Sequence, residues 1–264
     1  MTGVARHGGR YDRVARDYSR VRPRYPRELV AHLAGLVMAA PAADDALALD
    51  IGSGTGAFTR QLRAALPDTI RVVGVEPGAA MRAQAAAETE AADGIALVEG
   101  AAEAIPCADG AAIAVVAATA VHWFDRPVFY REARRVLVPG GVLAVVEYLR
   151  DTEHSALAAA LVGFMAEYGS RRAYVAADYR PELAALPGFA EPRDFGLPQT
   201  LRLTVDQFIG LALSSSHAAG VIDRFGEEGA RQALAALASP YRIDAEHVSF
   251  GYLFQCISVR LDLC

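Results

Sequence analysis

Strand-like and helix-like segments alternate between residues 44 and 150, and this alternation constrains the fold more than any other feature of the sequence. The strand-like segments are apolar nearly throughout, as strands of a parallel sheet are when helices cover both faces. They are residues 47–50, 70–76, 95–99, 112–119 and 142–148. Between the first two, Phe58, Leu62 and Leu66 recur every fourth residue before Pro67, which predicts a helix. The pattern predicts an α/β fold with a doubly wound, mostly parallel sheet.

The flanking segments follow different patterns. Residues 1–43 are predicted to be helical, with Pro23 and Pro26 preceding a helix that runs to Met38. Residues 151–264 contain a helical stretch at 153–168 and two strand-like segments, "LPQTLRLT" and "HVSFGYLFQCISVRL", on either side of helices over 205–239. We therefore divide the chain into an N-terminal part (1–43), an α/β core (44–150) and a C-terminal part (151–264) that completes the sheet.

Composition excludes several classes of protein. The chain has no lysine, which excludes Schiff-base chemistry, Walker A loops and a Tyr-Lys dehydrogenase pair. Its net charge of −5 disfavours a nucleic-acid partner, because binding to a phosphate backbone needs a basic surface. Cys107, Cys256 and Cys264 are scattered, with no metal-ligand spacing, and no apolar run is long enough to span a bilayer. We expect a cytoplasmic protein without metal, nucleic-acid or membrane partners.

The stretch "LALDIGSGTGAF" (residues 47–58) predicts a ligand-binding turn between the first strand and the first helix of the core. Glycines allow a ligand to approach the backbone closely, where free N–H groups precede the helix. Gly52, Gly54 and Ala57 match the G-x-G-x-x-[G/A] pattern of dinucleotide sites. Asp50, however, would repel a pyrophosphate and suits a cofactor with cationic groups, such as S-adenosylmethionine. A tight turn without a ligand is the third interpretation.

An ordered set of motifs over residues 10–150 resembles the class I S-adenosylmethionine-dependent methyltransferases. The small-molecule branch that includes the trans-aconitate methyltransferases (methyltransferase type 11) is the most similar. The motifs are "YDRVARDYSRVRPRYP", "LDIGSGTG", "VVGVEPGAAM", "GAAEAIP", "ATAVHWFD" and "VLVPGGVLAVVE". The resemblance implies a Rossmann-like sheet of seven strands in which the last strand is antiparallel. It also implies that residues 1–43 form a helical lid and that residues 151–264 recognise the substrate.

The resemblance also implies roles for individual residues. Asp50, Gly52 and Gly54 would surround the methionine end of the cofactor, and Glu76 would accept hydrogen bonds from the ribose hydroxyls. Pro77 and Met81 would lie near Glu76, and Ala101, Ala102 and Glu103 would lie near the adenine. Thr119, Ala120 and Val121 would lie near the methyl group. Trp123 would pack against the adenine or the next helix, and an ordinary core aromatic is the alternative interpretation of this residue. Many relatives carry an aspartate at the position of Ala101, and this chain has no carboxylate at that position to accept a hydrogen bond from the adenine amino group. Glu103 could equally be a solvated acid at a helix start.

The N-terminal motif contributes Tyr11, Tyr18 and Arg20, which the resemblance places in the lid over the cofactor. An amphipathic helix that only packs on the sheet is the alternative interpretation of this segment. His122 is the candidate catalytic base, because it follows the fourth strand and its ordinary pKa suits proton removal near neutrality. A structural role is the alternative for His122.

We therefore predict a methyltransferase that uses S-adenosyl-L-methionine, releases S-adenosyl-L-homocysteine and methylates a small molecule, most simply on oxygen. The alternatives are a nicotinamide-dependent oxidoreductase and an S-adenosylmethionine-binding enzyme that catalyses a non-methylating reaction. A carboxylate acceptor would need only positioning, whereas a hydroxyl or carbon acceptor would need a base. The chain is expected to be a monomer or a homodimer.

Overall fold

A computed structural model describes residues 23–41, 46–89, 94–170, 178–215 and 217–263. Its strands form one seven-stranded sheet. They are β1 (Ala46–Ile51), β2 (Ile70–Val75), β3 (Ile95–Val98), β4 (Ala112–Ala118), β5 (Leu137–Arg150), β6 (Arg193–Thr204) and β7 (His247–Arg260). Each of the five strands predicted in the core and the two predicted in the C-terminal part is present.

The helices in the described residues connect and flank these strands. They are α1 (Arg27–Met38), α2 (Ala57–Ala65), α3 (Ala79–Ala87), α4 (Arg126–Val136), α5 (Ala156–Tyr168), α6 (Arg180–Ala184), α7 (Val205–Leu213) and α8 (Ala218–Ala238), with one 3-10 turn at Val121–Trp123 and another at Ser239–Tyr241. Helix α8 is interrupted at Gly226, whose φ of 72° lies in the left-handed region. Helix α4 begins where it does for two reasons. The Asp125 side chain accepts a hydrogen bond from the backbone N–H of Val128, and a proline occupies the second position of the helix.

The strand order is β3-β2-β1-β4-β5-β7-β6. Strands β1 to β5 pair in parallel, and β7 lies antiparallel between β5 and β6. This arrangement confirms the predicted doubly wound sheet with an antiparallel last strand. The order reverses between β1 and β4, and open α/β sheets bind ligands in the crevice beyond the strand ends at that point.

Two apolar clusters cover the two faces of the sheet. One cluster joins α1, α2, α5, α7 and α8 to one face, and includes Leu33, Phe58, Leu161 and Phe254. The other joins α4 and α6 to the opposite face around Phe129. Burial on both faces explains why the parallel strands read as continuous apolar runs rather than as an alternation.

The sequence "VPGG" lies at the start of β5. Asp125 and Pro127 predict the start of the third helix of the core and "VPGG" predicts its end, and α4 does end just before it, at Val136. Strand β5 begins at Leu137, so "VPGG" lies inside the strand. The pairing between β4 and β5 shifts register there, between Ala112 and Ala114. Gly140 has a φ of 79°. A glycine in the left-handed conformation allows an irregular strand to continue through the bulge.

Candidate active site

The glycine turn after β1 uses most of its backbone N–H groups within the protein. The N–H groups of Gly52 and Ser53 both donate to the carbonyl of Val75 at the end of β2, at 2.8 and 3.1 Å. The N–H of Gly54 donates to the Glu76 carboxylate (3.0 Å), and the N–H of Gly56 donates to the Ser53 carbonyl. The turn therefore keeps few donors for a pyrophosphate, which binds through such free N–H groups.

Gly52 and Gly54 differ in what surrounds them. Both have a positive φ, of 71° and 56°. A Cβ on Gly52 would lie 2.8 Å from the Cβ of Ala120 and 3.1 Å from the ring of Phe124, so this glycine is needed for packing. A Cβ on Gly54 would meet nothing within 4 Å. The open space needed for a ligand therefore lies at Gly54.

Asp50 is buried at the end of β1, with 1% of its surface exposed. One carboxylate oxygen, Oδ2, accepts a hydrogen bond from the Thr59 hydroxyl at 2.6 Å, whereas Oδ1 is buried and accepts none from the described residues. The pKa of Asp50 is raised from 3.8 to about 7, mainly by burial. The Thr59 hydrogen bond opposes this shift, and the negative charge of Glu76 adds a smaller contribution to it. A cation bound above the turn would favour the ionised form.

Glu76 holds the turn and the start of α3 together. Its Oε2 accepts from the Gly54 N–H, and its Oε1 accepts from the Gly78 N–H at 2.8 Å. Each oxygen of an ionised carboxylate retains a further lone pair, so both can still accept a hydrogen bond from a ligand hydroxyl. Pro77 is exposed and Met81 is partly buried beside Gly78.

The segment after β3 carries the residues expected near the adenine. Ala101 and Ala104 form an isolated bridge, and Ala102 is 4% exposed within the core cluster around Phe129. The carboxylate of Glu103 accepts a hydrogen bond from the backbone N–H of Asp125 at 2.8 Å. Glu103 thus ties this segment to the start of α4, which is a structural role that the sequence did not indicate.

Of the three residues expected at the floor near the methyl group, one lines the cleft. Thr119 lies there with a φ of 51°, a left-handed conformation that β-branched residues rarely adopt. Its hydroxyl lies 2.6 Å from the hydroxyl of Tyr25. Ala120 and Val121 are buried, at 5% and 0% exposure, and Ala120 packs against Gly52.

His122 and Glu147 lie together beyond β4. The Nδ1 atom of His122 is 4.0 Å from Oε1 of Glu147, and both side chains are largely buried. Trp123 follows in the same 3-10 turn, with its ring 4.9 Å from the His122 ring and half of its surface exposed. Trp123 is therefore not a core aromatic, and it can contact a ligand.

A cleft of about 780 Å³ opens over the glycine turn, within the range for small-molecule sites. Residues 52–55, Thr119 and Tyr148 line one side, and residues from the segment before α1 and from α1 itself line the other. Tyr25 was missed by sequence reasoning, although it lies within the motif "RPRYP" directly before Pro26 and α1. Tyr11, Tyr18 and Arg20 lie outside the described residues.

Among residues 23–41, 46–89, 94–170, 178–215 and 217–263, no three or more His, Cys, Asp or Glu side chains are grouped so that they could hold a metal ion. In the same part of the chain no helix is both long and apolar enough to cross a membrane.

Known proteins resemble this chain in sequence and in fold. Residues 49–145 match the family described as a methyltransferase domain. An uncharacterized methyltransferase of Mycobacterium bovis is 38% identical over 134 residues, which cover 51% of this chain and 50% of the relative. The chain spans about half the length of the curated relatives it matches.

Solved structures extend the likeness to nearly the whole chain. A candidate type II methyltransferase of Anaeromyxobacter dehalogenans is 28% identical with a TM-score of 0.70, covering 92% of this chain and 99% of that one. A phosphoethanolamine N-methyltransferase of Haemonchus contortus, solved with S-adenosylhomocysteine, is 16% identical with a TM-score of 0.56. The match covers 95% of this chain and 57% of the Haemonchus contortus chain, and at this sequence identity it shows the fold alone.

The matched domain contains the glycine turn, Glu76, Thr119 and His122, and it ends within β5. Residues 49–145 are therefore similar to a methyltransferase domain, and they lie within a seven-stranded sheet of the Rossmann-like methyltransferase fold.

Proposed function

We propose that this chain transfers the methyl group of S-adenosylmethionine to an oxygen atom of a small molecule. The observation that carries the proposal is the way in which the glycine turn is built. Its N–H groups are used within the protein, and two carboxylates, Asp50 and Glu76, lie at the turn. This arrangement disfavours a pyrophosphate and favours a ligand with positive charge and hydroxyl groups.

The residues present fit this cofactor. Asp50 has a buried carboxylate oxygen that accepts no hydrogen bond from the described residues, and the space above Gly54 is open. Asp50 would stabilise the cationic methionine end from beneath the turn, and Glu76 would accept hydrogen bonds from the ribose. The remaining contacts in this proposal come from Gly52, Pro77, Met81, Ala101, Ala102, Glu103, Ala120, Val121 and Trp123, with Tyr11, Tyr18 and Arg20 in the lid.

The cofactor, when bound, supplies a methyl carbon already activated by the sulfonium. The protein then has to align the acceptor oxygen, exclude water and accept a proton where the acceptor is a hydroxyl. His122 is the proposed base, and Glu147, at 4.0 Å, stabilises the imidazolium that results. Thr119, Tyr25 and Tyr148 provide the wall of the cleft against which the acceptor is aligned.

The domain organisation belongs to the same proposal. Residues 1–43 would form the lid, residues 44–150 would bind the cofactor, and residues 151–264 would recognise the acceptor. The lid proposal is supported by the position of Tyr25, which already contacts the cleft floor at Thr119.

Binding and turnover test the proposal separately. The purified protein is titrated with S-adenosylmethionine, S-adenosylhomocysteine and NAD by calorimetry, while the fluorescence of Trp123, the single tryptophan, is recorded. We expect both adenosyl ligands to bind and to change the Trp123 emission, and we expect no binding of NAD. Binding of NAD without the adenosyl ligands would make the oxidoreductase interpretation correct instead.

A second measurement tests methyl transfer itself. Candidate acceptors are incubated with S-adenosylmethionine labelled with carbon-13 in the methyl group, and products are analysed by mass spectrometry and NMR. The proposal expects a labelled methyl group bound to oxygen. Adenosyl-ligand binding with an altered but unmethylated product would instead favour the non-methylating alternative.

A further inference from the structure

Residues 23–26, "PRYP", form a strap along the cleft directly before α1. Because proline has no backbone N–H, only Arg24 and Tyr25 can donate a main-chain hydrogen bond within this strap. Tyr25 also precedes a proline, which favours an extended backbone over a helical one. The strap is therefore a segment that has to be held by groups from elsewhere in the fold.

The side chain of Gln61, in α2, holds the main chain of Tyr25 at two points. Its Oε1 accepts a hydrogen bond from the Tyr25 N–H at 3.3 Å, and its Nε2 donates to the Tyr25 carbonyl at 2.8 Å. One carboxamide thus satisfies both main-chain polar groups of Tyr25, as a neighbouring strand would. Gln61 is partly buried and lines the same cleft. We call these two hydrogen bonds the Gln61 clamp.

The side chain of Tyr25 is held by a different element. Its hydroxyl lies 2.6 Å from the hydroxyl of Thr119, at the end of β4, and its ring packs against the ring of Tyr148. Tyr25 therefore connects α2, which follows the glycine turn, to β4, which is paired with β1. Tyr25 and Gly54 line opposite sides of the cleft, so the width of the space above Gly54 depends on where Tyr25 is held.

The Gln61 clamp is separate from the contacts by which α2 packs on the sheet. That packing uses the buried side chains of Phe58 and Leu62, which belong to the apolar cluster on this face. Gln61 contributes polar contacts to the strap instead. Hydrogen bonds allow only a narrow range of distances and angles, so the clamp fixes the Tyr25 main chain more narrowly than apolar contacts would.

We propose that Gln61 is a positioning residue for methyl transfer, which clamps the main chain of Tyr25 so that Tyr25 and Thr119 form one wall of the cleft before the cofactor binds. Gln61 acts through Tyr25 and takes no part in proton transfer. Without the clamp, a smaller fraction of the molecules has a formed wall, and the apparent affinity for the cofactor falls with that fraction. This inference rests on the proposed function, because it concerns the same cleft.

The first test measures how fast S-adenosylhomocysteine leaves the immobilised protein, by surface plasmon resonance. Gln61→Leu removes both hydrogen bonds at similar volume, and dissociation should become about 5- to 30-fold faster. Gln61→Glu keeps the size, but an ionised carboxylate cannot donate to the Tyr25 carbonyl, so this variant should be at least as impaired. The control is Gln232→Leu, an exposed glutamine of α8, which should leave the rate unchanged.

The second test separates positioning from a general effect on stability. Tyr25→Phe removes the contact with Thr119, and we combine it with Gln61→Leu. S-adenosylhomocysteine should leave the double variant no faster than it leaves Gln61→Leu alone, because an unclamped Tyr25 no longer holds its hydroxyl at Thr119. Two residues that stabilise the fold independently would instead give effects on the rate that multiply.

A third measurement needs no ligand. Trypsin can cut the bond between Arg24 and Tyr25 when the strap opens locally, and mass spectrometry identifies the product that begins at Tyr25. This cut should be about 5-fold or more faster in Gln61→Leu than in the wild-type protein. Cleavage after Arg242, in the exposed segment before β7, is the internal control and should be equal in both proteins.

Three results would overturn the inference: a dissociation rate in Gln61→Leu within 2-fold of the wild-type rate, a wild-type rate in Gln61→Glu, or effects that multiply in the double variant. If Gln61→Leu does not fold, Gln61→Glu takes its place in each comparison. Absence of S-adenosylhomocysteine binding to the wild-type protein contradicts the proposed function instead. The trypsin measurement then decides on the clamp, and equal cleavage of the wild-type protein and Gln61→Leu after Arg24 overturns it.

Discussion

The hydroxyl oxygens of Tyr25 and Thr119 lie 2.6 Å apart, and this hydrogen bond connects the segment before α1 to the end of β4. Thr119 is the one non-glycine residue in the described part of the chain with a positive φ. Strained conformations of this kind persist where the surrounding structure holds them, and they concentrate at functional sites. The Tyr25 ring also contacts the rings of Phe58, Tyr148 and Phe254, so the segment is fixed against the cleft from several directions.

Tyr25→Phe should weaken the binding of S-adenosylhomocysteine about 3- to 10-fold, since one hydrogen bond contributes roughly 1 kcal/mol. The ring contacts remain, so the free energy of unfolding should fall by no more than this ~1 kcal/mol. Calorimetric titration and urea denaturation provide the two measurements. Thr119→Val should have the same effect on binding, and the double variant should be no worse than either single variant. Tyr241→Phe, in the 3-10 turn after α8, serves as the control.

Gly52→Ala and Gly54→Ala should differ in their effects on stability and on binding. Both add strain at a positive φ, of about 1–2 kcal/mol. Gly52→Ala should lower the free energy of unfolding by roughly 1–3 kcal/mol more than Gly54→Ala does, because the added Cβ would overlap the Cβ of Ala120. Gly54→Ala should instead weaken adenosyl-ligand binding, because its methyl group would enter the open space above the turn.

Gly110→Ala is the matched control for Gly54→Ala. Gly110 has a φ of +58°, a Cβ there would also meet nothing within 4 Å, and the residue does not line the cleft. The two variants should lose the same stability, and only Gly54→Ala should lose binding. That result would support the placement of the ligand above Gly54. Equal affinities in the two variants would place the ligand elsewhere.

Asp50→Asn should change how stability depends on pH. The folded pKa of about 7 lies above the ordinary value of 3.8, so the folded protein binds more protons than the unfolded chain between these pH values. The free energy of unfolding of the wild-type protein should therefore fall as the pH rises from about 4 to 7, by up to roughly 4 kcal/mol. Asp50→Asn should lack this fall.

Urea denaturation at a series of pH values without ligand measures the effect, with the exposed Asp223→Asn as control. Adenosyl-ligand affinity should show the opposite trend, and rise with pH through 7, because the bound cation favours the ionised carboxylate. Parallel pH curves for the wild-type protein and Asp50→Asn would contradict the shifted pKa.

His122→Gln should lower kcat about 100-fold or more if His122 accepts the proton of a hydroxyl acceptor. The affinity for S-adenosylhomocysteine should change by less than about 2-fold. Glu147→Gln should lower kcat about 10-fold, because Glu147 acts through His122. Steady-state kinetics with an identified acceptor give both values, with His247→Gln, at the start of β7, as the control.

An acceptor whose carboxylate is itself methylated needs no base. For such an acceptor His122→Gln should leave kcat nearly unchanged, and His122 would then have the structural role that the sequence left open. The pH dependence of kcat separates the two cases, because a base introduces an ionisation that disappears in the variant.

Much of the fold follows from local sequence patterns. Apolar runs such as residues 112–118 are typical of strands buried on both faces, and the fourfold spacing of Phe58, Leu62 and Leu66 is typical of a helix packed on such a sheet. The glycines before that helix required a sharp turn. These are properties of neighbouring residues, and so the sequence alone determined the strands and the position of the turn, whereas the seven-stranded arrangement was implied by the resemblance to a known family.

Contacts between distant residues were decided by the tertiary structure alone. The pairing of Tyr25 with Thr119 spans 94 positions, and the Glu103 contact with Asp125 spans 22. Neither pair has a spacing that a helix or a strand would reveal. The burial that raises the pKa of Asp50 likewise depends on how separate elements pack. The sequence by itself determined which residues reach the strand ends, but only the folded chain decided which of their polar groups are already satisfied and which can accept a ligand, because that depends on partners brought together by folding.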